Sequence, residues 1–335
     1  MKSFEYHVGG QPVRVVVEGV PSPHGRTQAQ KAAWFARHAD RCRRGVVLAP
    51  RGHADMSAVL FTEPSSAEAH AGLVFFDAAG YPRFAMHGVV AAAAAAVDHG
   101  LLSVGAGDHD GRALTFDTPA GVVTARLTGA NGPPGVVHVR GVPAFVHAAG
   151  LPVTLLSRTV PVDVAFAGEF YALVDGEAAG VPLDADHVPE LRRLGQAMCA
   201  ALNRTTAVVH PIDPAIEGVA GVVFSGPARD PDTHLRTVLV TADGAVDWSP
   251  GGSATAAVMA VLDAMGLVGD APEFTHEGLS GARLTGHLVS RQVIGDRPAL
   301  VVEVAARAWP TGEQAWILDH DDPFHQGLVG AHVDR

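Results

Sequence analysis

Three features of the sequence predict an α+β fold of two similar halves, each a curved, mostly antiparallel sheet wrapped around one central apolar helix. Short, mostly β-branched segments bounded by Gly, Pro or Asp dominate the chain and read as strands. Helical stretches are few. Two of these are apolar on every face, the pattern of a buried helix, and they lie about half the chain apart.

Taken in order, strands are predicted over 13–17, 71–76, 122–127, 162–166, 222–224, 236–241 and 299–304, and helices over 27–43 and 188–202. The first apolar helix is entered through Phe84-Ala85-Met86-His87-Gly88, continues through Val89, Val90 and six alanines, Ala91 to Ala96, and stops near Gly100. The second is entered through Asp247-Trp248-Ser249-Pro250-Gly251-Gly252-Ser253-Ala254-Thr255, continues through 256–262, and stops near Gly266. Runs rich in Pro and Gly at 129–135 and 149–152 mark the middle, either as a domain boundary near 155 or as hairpins. The expected halves are 1–155 and 156–319.

Composition narrows the function classes. Of 335 residues, 47% are hydrophobic and 18% charged, which permits a large core and excludes a disordered chain. The net charge is −11 and no basic stripe appears, so nucleic acid is not the expected partner. No apolar run reaches the roughly 18 residues that span a bilayer, and the first residues lack a signal-peptide core. No membrane association and a cytoplasmic location are expected. The two cysteines, Cys42 and Cys199, are too far apart for a metal spacing. Cys199 reads as an inert core residue. Cys42, among arginines, reads as a surface thiol of no consequence or as a mildly activated one.

Each small-residue loop bares the first N–H groups of its helix, so the pair offers two anion sites for a common ligand. Competing motifs are weak. Val104-Gly105-Ala106-Gly107-Asp108 lacks the third glycine of a dinucleotide turn. The 18 histidines include no helical metal pair, and no nucleophile elbow is present.

Several segments together resemble the proline racemase family, which includes 4-hydroxyproline epimerases and trans-3-hydroxyproline dehydratases. They are His7-Val8-Gly9-Gly10-Gln11-Pro12, Pro50-Arg51-Gly52-His53 with Met56, and Gly168-Glu169-Phe170-Tyr171-Ala172. Asn203, His210-Pro211, His276-Glu277-Gly278-Leu279-Ser280-Gly281 and Leu318-Asp319-His320-Asp321-Asp322-Pro323-Phe324 complete the set. The resemblance covers nearly the whole chain. It implies a diaminopimelate epimerase-like fold of two pseudo-symmetric domains with the ligand between them, and return of a tail over about 320–335 to the first. It also implies no organic cofactor, no metal, and a possible homodimer.

The departures bear on chemistry. In the family the two loops read Met-Cys-Gly-His and Asp-Arg-Ser-Pro-Cys-Gly-Thr-Gly-Thr, and the cysteines serve as base and acid across the substrate α-carbon. Here those positions are Ala85 and Gly251, neither of which carries a proton. Met86 replaces a glycine and Trp248 an arginine, which implies a reshaped pocket. By resemblance, His87 and Asp247 flank the substrate as the remaining acid/base pair, and Met86, Gly88, Trp248, Gly252, Ser253 and His210 contact it. Glu277 and His210 are further base candidates. His87 also reads as a buried histidine at its helix entry, Asp247 as a turn or N-cap residue, and Ser253 as an N-cap. The expected function is a cofactor-independent lyase or isomerase that moves a proton on a small cyclic amino acid or related carboxylate. An inactive ligand-binding or regulatory homologue and a residual racemase are the alternatives.

Overall fold

A computed structural model describes residues 1–102, 112–128, 135–155, 158–269 and 273–328. The dinucleotide-like turn at 104–108 lies outside them. Among the described residues the chain is sheet-rich, with sixteen strands and few helices, and it divides into two compact units, Met1–Val137 with Arg307–Arg335 and His138–Ala306.

The first unit begins with β1 (Lys2–Val8), β2 (Gln11–Glu18), α1 (Gln28–His38), α2 (Asp40–Val47), β3 (Ser57–Thr62) and β4 (Ala71–Asp77). It continues with α3 (Met86–Asp98), β5 (Arg112–Thr118), β6 (Gly121–Leu127) and the start of β7 (Val136–Arg140). The second contains β8 (Ala144–Leu155), β9 (Arg158–Phe166), β10 (Phe170–Asp175), α4 (Gly176–Ala179), α5 (Val188–Thr205), β11 (Val219–Gly226) and β12 (Leu235–Thr241). It is completed by β13 (Val246–Asp247), α6 (Gly252–Ala264), β14 (Glu273–Glu277), β15 (Arg283–Ile294) and most of β16 (Arg297–Ala315).

The pairing pattern of the first unit recurs in the second. In the first, β1/β2, β3/β4 and β5/β6 are antiparallel, while β2/β3 and β4/β5 are parallel. In the second, β9/β10, β11/β12 and β14/β15 are antiparallel, while β10/β11 and β12/β14 are parallel. A parallel pair needs a crossover, and the four crossovers hold the helices: α1 with α2, α3, α4 with α5, and α6. The second sheet closes on itself, because β8 pairs with both β9 and β16 and β16 with β15. The first closes through β7 and β16, whose last residues pair with β1. In this arrangement β8 pairs within the second sheet, and the chain passes between the two units at Val137/His138 and at Ala306/Arg307. The Gly-Pro run at 149–152 lies inside β8, where Gly150 (φ 63°) occupies a bulge between Ala148 and Leu151.

The two apolar helices form for the same reason. Alanine has the highest helix propensity, and its small side chain lets a closed sheet approach from all sides. In α3 every residue from Gly88 to Ala96 is buried, against β1, β2, β3 and β6. In α6 the residues from Gly252 to Ala260 are buried, against β8, β9, β10, β14 and β15. Both end in the same cap. Gly100 (φ 61°) and Gly266 (φ 74°) take the left-handed conformation, and Leu101 N–H donates to Ala96 O (3.0 Å) as Leu267 N–H does to Leu262 O (2.9 Å).

Two expectations need correction. The helix predicted over 27–43 is two helices, broken at Ala39 (φ −135°, fully buried) with neither Gly nor Pro present. Asp40 opens the second by pairing with Arg43 (2.6 Å) and Arg44 (3.0 Å). Cys42 is not a surface thiol: it is 7% exposed, packs in the core with Phe35, Val46 and Val47, and burial pushes its thiol pKa up despite Arg41. Cys199 is buried as expected, with its pKa pushed up to about 12 by burial.

Candidate active site

The two helix entries differ in how they are held. At α3, Ala85 is the N-cap in extended conformation (φ −140°, ψ 103°), with no side-chain cap, and its carbonyl accepts the Val89 N–H at 3.2 Å. The amides of Met86, His87 and Gly88 precede that first helical hydrogen bond, so the helix itself offers them no acceptor. Packing fixes this entry. Phe84 and Met86 are buried, His87 and Ala85 are half-buried, and a Cβ on Gly88 would lie 2.9 Å from the Phe75 ring.

At α6 a polar network takes over. The Asp247 carboxylate is 6% exposed, and its Oδ1 accepts both the Ser249 N–H (2.9 Å) and the Ser249 hydroxyl (2.7 Å). That is an Asx turn, so the turn reading of Asp247 describes its geometry. Ser249 Oγ in turn accepts the Gly251 N–H (3.1 Å). Gly251 is the N-cap at φ 83°, a region L side chains rarely adopt. Its carbonyl accepts the Thr255 N–H (2.8 Å) and the Thr255 hydroxyl (2.9 Å). The amides of Gly252, Ser253 and Ala254 precede that bond. Ser253 is therefore not the N-cap but the second helical residue, and its side chain hydrogen-bonds the buried Tyr171 hydroxyl. Burial pushes the Tyr171 pKa up, so the phenol stays protonated.

Residues far off in sequence brace the same loop. The ring of His276, fully buried, lies between Thr237 Oγ1 (2.8 Å from Nδ1) and Thr255 Oγ1 (2.7 Å from Nε2). Burial alone lowers its pKa to about 3, so the ring is neutral. Gly278 passes so close that a Cβ would lie 2.5 Å from the Ser249 carbonyl carbon. Ser280 N–H donates to the Trp248 carbonyl (3.1 Å). Trp248 itself is half-buried.

Two further candidates, His210 and Glu277, lie outside the 247–255 loop. His210 Nδ1 accepts the amides of Ile212 (3.3 Å) and Asp213 (3.1 Å), and its ring packs on Phe166 and Phe145. Burial lowers its pKa. Glu277 is half of a buried ion pair with Arg236 (3.1 Å) and also accepts the Arg229 N–H (2.7 Å). His87 belongs to the first unit; Asp247, Gly252 and Ser253 belong to the second. Among the described residues, no group of three or more His, Cys, Asp or Glu is placed to hold a metal ion, and no helix is long and apolar enough to cross a membrane.

A family model described as proline racemase matches residues 4–329. The chain belongs to the proline racemase family. It is 34% identical to the trans-3-hydroxy-L-proline dehydratase of Burkholderia cenocepacia, over 98% of each chain. It is 33% identical to the 4-hydroxyproline 2-epimerase of Streptosporangium roseum, over 98% of this chain and 97% of that one. A solved hydroxyproline epimerase from Agrobacterium vitis, with trans-4-hydroxy-L-proline bound, matches with a TM-score of 0.89 and 28% identity, over 98% of this chain and 95% of that one. Viewed as a proline racemase family member, the chain gives its scattered motifs distinct jobs. Tyr171, His276, Gly278 and Ser280 brace the α6 entry. Arg51 instead pairs with Asp322 (2.6 Å) and donates to the Phe324 carbonyl (2.8 Å), tying two motifs together within the first unit. Asn203 exchanges hydrogen bonds with the backbone of Val219, which positions β11. The roles of Tyr171, Thr237 and Thr255 were not separable by spacing. Tyr171 and Thr255 lie in motifs that the sequence displays, whereas Thr237 has only its place in a β-branched run as a local signal.

Proposed function

We propose that this protein moves a proton on one face of a small cyclic amino acid of the proline or hydroxyproline class, or of a related carboxylate, without a thiol pair. The reaction class is elimination of water or a double-bond shift. The diaminopimelate epimerase-like reading with two pseudo-symmetric halves belongs to the same proposal, and the recurring strand pattern supports it.

One observation carries the reading. Gly251 stands where the resemblance puts the second family cysteine, and the polar atom nearest to where its side chain would begin is Asp247 Oδ2, at 3.5 Å. A carboxylate thus borders the space a thiol would fill, while its other oxygen is tied to Ser249. Asp247 and His87 are the proposed proton carriers, with His87 as base and Asp247 orienting it or returning the proton. In an elimination, the base takes the α-proton and the electron pair of that C–H bond forms the C=C bond. The β-hydroxyl leaves with its C–O pair and takes a proton to become water. By the resemblance, the amides of Gly252 and Ser253 at α6 and of Gly88 at α3 would receive the negative charge that grows on the carboxylate. Met86, Trp248 and His210 are proposed ligand contacts. Racemisation needs a proton carrier on each face, and neither Ala85 nor Gly251 supplies one.

That same absence favours a second reading, ligand capture without turnover. Proton NMR in deuterated water separates the two, using L-proline, the 3- and 4-hydroxyprolines and small unsaturated acids as probes. The expected result is α-proton exchange or loss of water, reduced about a hundredfold or more by His87→Ala or Asp247→Asn. Turnover indifferent to both substitutions would refute the assignment. Line broadening without turnover, removed by Asp247→Ala, would favour capture.

A further inference from the structure

We infer that His276 is a positioning residue, strung as a neutral ring between Thr237 and Thr255, whose task is to make the Gly252 amide a stronger donor to the ligand carboxylate. The inference rests on the proposed reading of the α6 entry as a carboxylate site.

Thr237, Thr255 and a neutral His276 own three hydrogens: two hydroxyl and one ring N–H. Four contacts compete for them. Thr237 Oγ1 lies 3.2 Å from the Pro250 carbonyl and 2.8 Å from His276 Nδ1. Thr255 Oγ1 lies 2.7 Å from His276 Nε2 and 2.9 Å from the Gly251 carbonyl. Three of the four can be satisfied at once. The three shortest are mutually compatible and form one directed chain: Thr237 O–H donates to Nδ1, Nε2–H donates to Thr255, and Thr255 O–H donates to the Gly251 carbonyl. The proton therefore sits on Nε2.

This direction matters because the Gly251 carbonyl shares a peptide group with the Gly252 N–H, the first amide of α6. The carbonyl already accepts the Thr255 N–H, and a second donor polarises the peptide further. The chain also turns that carbonyl toward the buried side, which aims its N–H the opposite way. A charged ring would have two N–H groups and no acceptor for Thr237, so the relay works only with neutral His276. Among the described residues no ion pair reaches this ring, and Phe274 packs on it at 5.0 Å between ring centres.

The test uses the full chain with ¹⁵N-labelled histidine and glycine. In ligand-free wild type at pH 7, His276 should show a neutral ring protonated at Nε2. Thr255→Val should move the Gly252 amide proton upfield and weaken trans-4-hydroxy-L-proline binding about tenfold, whereas Thr255→Ser should restore both. A charged or Nδ1-protonated His276, or a Gly252 amide unmoved by Thr255→Val, would overturn the inference. The amide and ring measurements need no ligand. Failure of wild type to bind trans-4-hydroxy-L-proline therefore counts against the proposed function, and the ligand-free spectra still decide the role of His276. If Thr255→Val does not fold, the wild-type ring spectrum decides alone.

Discussion

The entries to α3 and α6 present the same bare amides but are built on opposite principles. The α3 entry is shaped by packing: Gly88 against Phe75, an N-cap with ordinary extended φ, and no side-chain hydrogen bond to the cap. The α6 entry is shaped by polar bonds from Asp247, Ser249, Thr255 and His276, with a cap that only glycine tolerates well. Packing can yield by small shifts. A buried polar network loses a full hydrogen bond and leaves its partner unsatisfied. Equivalent changes should therefore be unequal in effect at the two ends.

The largest contrast is expected at the glycines that crowd each loop. Gly278→Ala places a carbon against backbone, 2.5 and 2.6 Å from Ser249 and Pro250, and should cost about 3 kcal/mol in denaturant melts. Gly88→Ala meets only side chains, Phe75 at 2.9 Å and Val59 at 3.6 Å, and should cost about 1–2 kcal/mol. Equal losses would break the distinction.

Acid sharpens it next. In the unfolded chain His276 has its ordinary pKa of 6.5; in the folded chain the value is about 3. Between these limits the unfolded state binds the extra proton, so stability is complete above pH 6.5 and falls as pH drops. The slope for one group is about 1.4 kcal/mol per pH unit, or about 2 kcal/mol between pH 6.5 and 5. His276→Gln should flatten that part of the profile. An unchanged profile would mean that the ring is not buried neutral.

The smallest contrast comes from restoring cysteine. Ala85→Cys fits its extended backbone and should change stability by less than about 0.5 kcal/mol. Gly251→Cys must adopt φ 83° with its Cβ 3.1 Å from Ala254, and should cost about 1–2 kcal/mol. Thermal melts of the two single variants compare them directly.

Much of this was legible in the sequence. Unbroken apolar runs entered through small residues and closed by Gly100 and Gly266 located both central helices, since burial all round and a left-handed cap each leave a local signature. The strand segments at 71–76 and 236–241 were equally plain, being β-branched and bounded. What was not legible depends on pairing. Nothing local marks β8, which ends at Leu155, as a member of the second sheet. Nothing local breaks the helix at Ala39, where side-chain packing and the Asp40 ion pairs decide. In the site, the loop residues 247–255 were visible as a motif. The brace formed by Tyr171, Thr237 and His276 was not, because it joins segments up to about a hundred residues apart through single hydroxyls and one ring.

The central claim is proton transfer on one face without a thiol, and the fate of the stereocentre tests it most directly. Each hydroxyproline would be incubated in deuterated water with wild-type protein, then recovered and analysed for deuterium at the α-carbon and for configuration. The account predicts deuterium incorporation with configuration retained, or conversion to a dehydrated product. Accumulation of the opposite α-epimer, abolished by His87→Ala, would contradict it, because a second proton carrier would then have to act on the other face.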